Sequence, residues 1–179
     1  MRVFVAIDLP EHVKAEIFHE EENLRKQGYL IGTFTARENF HLTLKFLGDI
    51  PEEKIEEVKK KLSEVKFKKF DAKIGKIGFF PNENFIKIIW AGFESADVEE
   101  FQKKIEEKLK EFPSAFEKFS SHITLARVKG TKKRKELKQH LEKINFRKLD
   151  FEVKEFVLMK SEVRQEGPTY KILEKYSLE

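Results

Sequence analysis

The sequence predicts an α+β fold, a mixed or antiparallel sheet with helices on its outer faces. Segments with strand and helix periodicity alternate along the 179 residues, and several predicted strands are separated only by short turns. With 40% hydrophobic residues, the chain can bury a sizeable core. No stretch rich in Pro, Gly or Ser divides the chain, so residues 1–179 are expected to form a single domain.

Strand patterns, which are short apolar runs or alternations of apolar and other residues, occur in eight segments. The first is an apolar run that ends before Pro10, and the fourth and fifth are separated by the turn-forming residues 81–84. In chain order the predicted strands are 3–8, 33–35, 40–47, 70–80, 85–93, 121–128, 149–160 and 169–178.

Helix patterns, in which apolar residues recur every three or four positions, fill four of the intervening segments. The first is ended by Gly28, the second is opened by Pro51 and the third is ended by Pro113. In chain order the predicted helices are 11–27, the segment after Pro51 with its apolar residues at 55, 58 and 62, then 98–112, and the basic segment 131–144.

The composition excludes several classes of protein. The chain has no Cys, which removes disulfides, thiol catalysis and thiolate zinc sites and leaves only His and carboxylate ligands for a metal. No window approaches the roughly 18 unbroken apolar residues of a membrane-spanning helix, so no membrane partner is expected. The N-terminal segment does not resemble a signal peptide, which predicts a cytoplasmic protein. Abundant Lys and Glu are typical of hyperthermophiles.

The two halves of the chain contain the same short pattern. His41 and Thr43 form one His-x-Thr triplet, and His122 and Thr124 form a second, each on a predicted strand. With 5 His and 6 Thr in the chain, about 0.2 such triplets are expected by chance. Side chains two residues apart on a strand share a face, so each triplet presents an imidazole beside a hydroxyl. If a pseudo-twofold relates the halves, the two pairs face each other across a groove.

Two opposed histidines suit in-line attack at phosphorus. One neutral imidazole takes a proton from the nucleophile, and one imidazolium gives a proton to the leaving oxygen. The Thr43 and Thr124 hydroxyls can each donate to a phosphate oxygen, and the scheme needs no metal or other cofactor. In the alternative interpretation, His41 and His122 are ordinary, partly exposed strand residues.

The doubled motif resembles the signature of the two-histidine phosphoesterase superfamily. The flanking segments are similar to those of its RNA 2′,3′-cyclic phosphodiesterase branch, also called the 2′-5′ RNA ligase family. These segments are HLTLKFLG at 41–48, GFFP at 78–81, HITLARV at 122–128 and GPTY at 167–170, together with the opening strand and Ser161. The resemblance covers the chain from end to end.

The resemblance implies a bilobal, pseudo-symmetric α+β fold in which two antiparallel or mixed sheets line a central groove. It implies an enzyme that opens RNA 2′,3′-cyclic phosphates to 2′-phosphates, with His41 as proton donor and His122 as proton acceptor. Thr43 and Thr124 would hold the phosphate oxygens. The reverse reaction, with a 5′-hydroxyl in place of water, forms a 2′-5′ linkage. A monomer acting on RNA ends, such as those of tRNA fragments, is expected.

Four further residues are candidates for binding phosphate or RNA. Family members often place a phosphate-binding Arg where Arg127 stands, but regular strand alternation points it away from His122. Either a bulge or a strand end near Ala126 re-aims it, or it lies on the outer face. Lys45 shares strand parity with His41 and is either a solvated rim lysine or a substrate-steering residue. Phe4 and Phe80 are candidates for stacking a terminal base.

Two other functions remain open at this point. One is a non-catalytic binder of RNA ends or nucleotides, which would keep the groove without turnover. The other is a phosphodiesterase of a different cyclic nucleotide. Two titratable His-Thr pairs favour an enzyme, because Lys and Arg suffice for binding alone.

Overall fold

The protein is described by a computed structural model over residues 1–112, 118–146, 149–164 and 167–179. The strands in these ranges are β1 (Arg2–Asp8), β2 (Leu30–Phe34), β3 (His41–Asp49), β4 (Phe70–Asn82), β5 (Phe85–Glu94), β6 (His122–Thr131), β7 (Asp150–Val153), β8 (Glu155–Arg164) and β9 (Gly167–Ser177). The helices are α1 (Glu11–Gln27), α2 (Ile55–Ser63), α3 (Val98–Lys108) and α4 (Arg134–Lys143), and two single 3-10 turns lie at Arg37–Asn39 and Glu52–Lys54.

The strands form two sheets, one with the order β3-β1-β8-β9 and one with the order β2-β6-β5-β4-β7. Every pairing between the described strands is antiparallel. The prediction of an α+β fold is therefore confirmed, and the sheets are antiparallel rather than mixed.

The chain passes from one sheet to the other at Lys154. The prediction of one strand over 149–160 is wrong, because β7 pairs with β4 in the five-stranded sheet while β8 pairs with β1 in the four-stranded sheet. A single residue separates β7 from β8, and it carries no turn signal that a sequence pattern could use. The consecutive strands β7 and β8 therefore belong to different sheets.

The helix predictions are accurate at the start of the chain and too long later. Helix α1 spans 11–27 as predicted, and Gly28 follows it in the left-handed conformation with φ 63°. Helix α3 ends at Lys108, yet Leu109 and Phe112 beyond it remain buried, so the apolar spacing outlasts the helix. Pro113, the predicted stop, lies outside the described residues. Helix α4 begins at Arg134 because β6 extends to Thr131.

Strand β1 lies between two apolar layers. Val3, Val5 and Ile7 belong to the main core, which combines residues of both sheets with the buried faces of the helices. On the opposite face, Phe4 and Ala6 belong to a smaller cluster that also contains residues of β8. The domain organisation stays a prediction. None of the described helices is long and apolar enough to span a bilayer.

Candidate active site

The two His-Thr pairs lie on strands that belong to different sheets and contact each other. Strand β3 is an edge of the four-stranded sheet, and β6 is an inner strand of the five-stranded sheet. All four side chains line one cavity of about 170 Å³. The apolar residues between them, Leu42 and Ile123, are fully buried. The fold therefore brings together the two halves of the duplicated motif, which are 81 positions apart in the sequence.

Both strands carry a β-bulge directly after the Thr. In β3 the pairing with β1 skips Leu44, because Ala6 pairs with Thr43 and Val5 with Lys45. In β6 the pairing with β5 skips Leu125 in the same way. An extra residue in one strand shifts the alternation of the side chains that follow it. The two bulges therefore re-aim the side chains that follow them in both motif strands, as far as a second register shift near the end of each strand.

The bulge in β3 changes the direction expected for Lys45 and excludes one of its two alternatives, the solvated rim lysine. The side chain of Lys45 is 1% exposed and forms an ion pair with Glu106 of α3. It is therefore neither a solvated rim lysine nor on the face of His41, as regular alternation predicts. The extra residue, Leu44, turns Lys45 toward α3, away from the cavity that contains His41.

The bulge in β6 settles the alternatives for the direction of Arg127. Leu125 and Ala126 are both buried, and the alternation resumes with Arg127 on the face of His122 and Thr124. Arg127 lines the same cavity as the two histidines and is exposed. The first alternative, a bulge near Ala126 that re-aims the side chain, is the geometry that the structure has.

The two histidines are oriented by the same kind of hydrogen bond. Nδ1 of His41 lies 2.6 Å from the backbone oxygen of Asn39, and Nδ1 of His122 lies 2.8 Å from that of Ser120. A carbonyl only accepts, so Nδ1 carries the proton in both rings and donates it. In the neutral rings Nε2 is then the free base, and the Thr43 hydroxyl, 3.0 Å away, donates to Nε2 of His41.

Each histidine ring also packs against two aromatic rings. His41 lies 4.9 Å from Phe4 and 5.2 Å from Tyr170 between ring centroids. His122 lies 5.0 Å from Phe80 and 6.2 Å from Trp90. These contacts fix the ring planes and replace water around them.

Phe4 and Phe80, the two candidates for stacking a base, have different surroundings. Phe4 is only 2% exposed and packs against His41 and Tyr170, although it lines the first cavity. Its surroundings leave little of the ring open to a base, and its role in stacking stays a prediction. Phe80 is half-buried and lines a second cavity, so its surroundings are compatible with the expectation.

Burial lowers the pKa of both histidines. Loss of solvation lowers the pKa of His41 to about 4, although its hydrogen bond to Asn39 and the nearby Asp8 favour the charged ring. The pKa of His122 is also lowered, first by desolvation and further by the positive charge of Arg127, against its hydrogen bond to Ser120. Both rings are therefore neutral at pH 7 in the free protein.

A second cavity, of about 560 Å³, adjoins the first. The two cavities share Thr43, His122, Thr124 and Arg127, whereas His41 lines only the first. The remaining walls of the second cavity come from β3, β4, β5, α3 and the segment before β6. They include Lys45, Phe80, Ile88, Gln102, Glu106 and Phe119.

Sequence reasoning missed several residues that shape the site. Tyr170 packs on His41, and the Asn39 amide donates to the oxygen of Pro168 at 2.8 Å, which ties the start of β3 to that of β9. Tyr170 belongs to the flanking segment GPTY at 167–170, and neither residue has a local pattern that marks it as part of the site. Among the described residues, no group of three or more His, Asp and Glu is placed to hold a metal ion.

The chain matches a family model and named relatives. The model described as LigT like phosphoesterase matches residues 7–90 and 94–170. A Methanocaldococcus jannaschii protein named RNA 2′,3′-cyclic phosphodiesterase is 35% identical, over 98% of this chain and 100% of its own. A Thermotoga maritima protein of the same name is 34% identical, over 97% of this chain and 93% of its own.

Solved structures share the fold. A Thermus thermophilus protein superposes with a TM-score of 0.82 at 28% identity, over 99% of this chain and 97% of its own. Apo LigT from E. coli superposes with a TM-score of 0.79 over 99% of this chain and 96% of its own. Its identity of 22% makes this likeness evidence of the fold alone.

Proposed function

We propose a function for this chain from one premise, that it belongs to the LigT like phosphoesterase family. The proposed reaction is the hydrolysis of RNA 2′,3′-cyclic phosphate ends to 2′-phosphates. Two relatives that carry the name of this activity support it over nearly the full chain. The observation that carries the proposal is the matched pair of histidines, each with Nδ1 tied to a backbone oxygen and Nε2 left for proton transfer.

In the proposed mechanism, the phosphorus lies between the two rings. His122 takes a proton from water through Nε2, the water oxygen bonds to phosphorus, and the bond from phosphorus to O3′ breaks. His41 donates its Nε2 proton to the departing O3′, which leaves the phosphate on O2′. Exchange of protons with solvent then returns both rings to their starting forms.

The negative charge of the bound substrate stabilises the protonated form of His41, which the mechanism requires. In the free protein burial lowers the pKa of His41 to about 4, so the ring is mostly neutral at pH 7. The negative phosphate beside the ring favours its protonated form. Substrate binding therefore converts His41 to its protonated, acidic form. The protonated Nε2 no longer accepts a hydrogen bond from the Thr43 hydroxyl, which then donates to the phosphate instead.

Three further side chains are proposed to hold the phosphate. The hydroxyls of Thr43 and Thr124 donate to its non-bridging oxygens, and the Arg127 guanidinium offsets the charge that grows on them. All three line the cavity that contains both histidines. Donors that are already in position stabilise the developing charge without reorganising.

The same groups run the reaction toward ligation when a 5′-hydroxyl replaces water. His122 then takes the proton of the 5′-hydroxyl, and the product is a 2′-5′ linkage. The enzyme is proposed to act as a monomer in the cytoplasm on RNA ends, tRNA fragments among them.

The test is to incubate the protein with a short RNA that ends in a 2′,3′-cyclic phosphate, with chelator present, and to follow phosphorus NMR. The expected product is a 2′-phosphate alone, because His41 protonates O3′. An unchanged cyclic phosphate would refute the proposed function. A 3′-phosphate would refute the assignment of O3′ as the leaving oxygen.

A further inference from the structure

We infer that the second cavity is an acceptor subsite. It binds the nucleoside whose 5′-hydroxyl attacks in 2′-5′ ligation, and Glu106 accepts a hydrogen bond from an amino group of the base. This inference rests on the proposed function, since it requires His122 to be the group that activates the nucleophile.

The position of the second cavity relative to the histidines gives its role. In-line displacement places the entering and leaving oxygens on opposite sides of phosphorus. His41 serves the leaving O3′, so the nucleoside that carries the cyclic phosphate lies on its side. The second cavity is lined by His122 and not by His41, so it lies on the side of the entering oxygen.

The cavity is far larger than hydrolysis requires. A water molecule occupies about 30 Å³ of liquid. The cavity measures about 560 Å³, which falls within the range of roughly 300 to 1,000 Å³ typical of small-molecule sites. There is therefore room on the entering side for a nucleoside behind the attacking oxygen.

The walls of the cavity suit a base. Phe80, Ile88 and Phe119 are each only partly exposed and line it with apolar surface. Aromatic rings in this setting stack on the flat face of any base, which gives affinity without selecting among bases. Selection requires a fixed polar group at the edge of the base.

Glu106 is such a fixed group. One of its carboxylate oxygens pairs with the buried Lys45, and the other lies 3.5 Å from the amide nitrogen of Gln102. The Gln102 amide is itself held by the oxygen of Leu44, at 3.2 Å. A buried lysine needs its partner, so this contact keeps the Glu106 carboxylate in place. The Glu106 side chain is 42% exposed, which leaves part of it free for a ligand.

A carboxylate only accepts hydrogen bonds, and this determines the base that it favours. Cytosine, adenine and guanine carry an amino group that can donate to Glu106. Uracil has the carbonyl oxygen O4 where cytosine has its amino group, and this oxygen repels a carboxylate. The N3–H of uracil is a donor, but it stands between the O2 and O4 oxygens, so a carboxylate that approaches it also meets their negative charge. Cytosine and uracil are nearly the same size, so they isolate the effect of the hydrogen bond.

The reverse of ligation provides a convenient assay. In a 2′-5′ dinucleotide, the free 3′-hydroxyl attacks phosphorus and gives its proton to His41. The bond from phosphorus to O5′ breaks, and O5′ takes a proton from His122. The products are a 2′,3′-cyclic phosphate and a nucleoside with a free 5′-hydroxyl, which leaves from the second cavity.

The experiment compares adenylyl-2′-5′-cytidine with adenylyl-2′-5′-uridine. Release of the second nucleoside is followed by chromatography, and kcat/KM is obtained for each substrate. We expect the cytidine compound to react about tenfold faster or more, the usual effect of a hydrogen bond to a charged group. The Glu106→Gln variant should bring the two values close together, because an amide both donates and accepts.

Glu107→Gln is the matched control. It makes the same change one position along α3, at an exposed residue that does not line the cavity, and should keep the wild-type preference. If Glu106→Gln fails to fold with Lys45 left unpaired, the double variant Lys45→Met, Glu106→Gln removes both charges together. Circular dichroism checks folding in every case.

The outcomes separate this inference from the proposed function. Failure of the wild type to hydrolyse adenosine 2′,3′-cyclic phosphate would overturn the proposed function. Hydrolysis of that compound, with no cleavage of the dinucleotides or no preference between them, overturns the acceptor subsite alone. So does a preference that survives in Glu106→Gln. The ratio of kcat/KM for hydrolysis of cytidine and uridine 2′,3′-cyclic phosphates should not change in Glu106→Gln. If it does change, the cavity binds the base that carries the cyclic phosphate instead.

Discussion

Phe46 and Arg127 occupy the same place in the two halves of the fold. Each follows its motif histidine by five residues, each lies beyond the bulge of its strand, and both line the cavity that contains the two histidines. One half therefore contributes an aromatic ring and the other a cation. The backbone is pseudo-symmetric but the charge of the site is not, because the positively charged side chain lies only on the strand that carries His122.

Arg127→Met should weaken the use of the cyclic phosphate. Loss of a guanidinium that binds the phosphate is expected to lower kcat/KM about tenfold to a hundredfold, with part of the loss appearing in KM. Steady-state kinetics on a nucleoside 2′,3′-cyclic phosphate measure it. Arg2→Met, at a half-exposed arginine of β1 that does not line the cavity, is the control. Unchanged kinetics in Arg127→Met would remove this residue from the site.

His41→Ala and His122→Ala should each lower kcat by about 10²-fold to 10⁴-fold, the usual effect of removing a general acid or base. Circular dichroism should show that both variants remain folded. His12→Ala, at an exposed histidine of α1, should retain the wild-type rate. Near-normal turnover by either active-site variant would rule out the two-histidine mechanism.

The dependence of kcat/KM on pH should have its maximum in the acid range. In the proposed mechanism the reactive form has His41 protonated and His122 neutral. Burial lowers the pKa of His41 to about 4 and that of His122 below its usual 6.5. Above both values this form becomes scarcer by about tenfold per pH unit. We expect the maximum between the two pKa values and a continuous fall above pH 6.5. A plateau from pH 7 to 8 contradicts this.

The titration of His122 can be observed directly. Trp90 is the only tryptophan in the chain, and its ring lies 6.2 Å from that of His122. A protonated imidazole quenches a neighbouring indole, so the fluorescence should fall as the pH drops, with a midpoint below 6.5. The transition should be absent from His122→Ala. A midpoint above 6.5 would show that burial does not control this ring.

Thr124→Val should reduce kcat by about 10-fold to 10³-fold, less than the loss of a histidine if the hydroxyl is one of several donors to the phosphate. Valine keeps the shape of the side chain and removes only the hydroxyl. Thr131→Val, at the exposed end of the same strand, is the control. Equal kinetics for wild type and Thr124→Val would exclude this hydroxyl from the mechanism.

The free energy of unfolding of Glu21→Gln, measured relative to that of the wild type, should increase as the pH rises. Burial raises the pKa of Glu21 to about 8 despite its contact with Arg25, and one of its carboxylate oxygens has no hydrogen-bond partner. Between pH 4.5 and 8 the unfolded chain loses this proton while the folded protein keeps it, so the wild type loses stability over that interval. Denaturant unfolding should show a relative gain of about 2 to 4 kcal/mol at pH 8 over pH 4.5. Parallel pH profiles for the two proteins would contradict it.

The sequence by itself determined the fold class, helix α1 and the pairing of each motif histidine with a threonine on one strand face. These depend on local signals, such as the left-handed glycine after α1 and the alternation that places His41 beside Thr43. The duplicated motif also carried the family resemblance. None of these inferences required knowledge of which strands are neighbours.

Only the tertiary structure decided where the side chains beyond the motif point. The bulges at Leu44 and Leu125 exist because β3 and β6 pair with particular partners, and they reverse the directions that alternation predicts for Lys45 and Arg127. The contact of Lys45 with Glu106 joins residues 61 positions apart. Pairing and packing between residues so far apart produce no periodic pattern in the sequence. The second cavity could therefore not be predicted from the sequence, because it is formed only when the two sheets pack together.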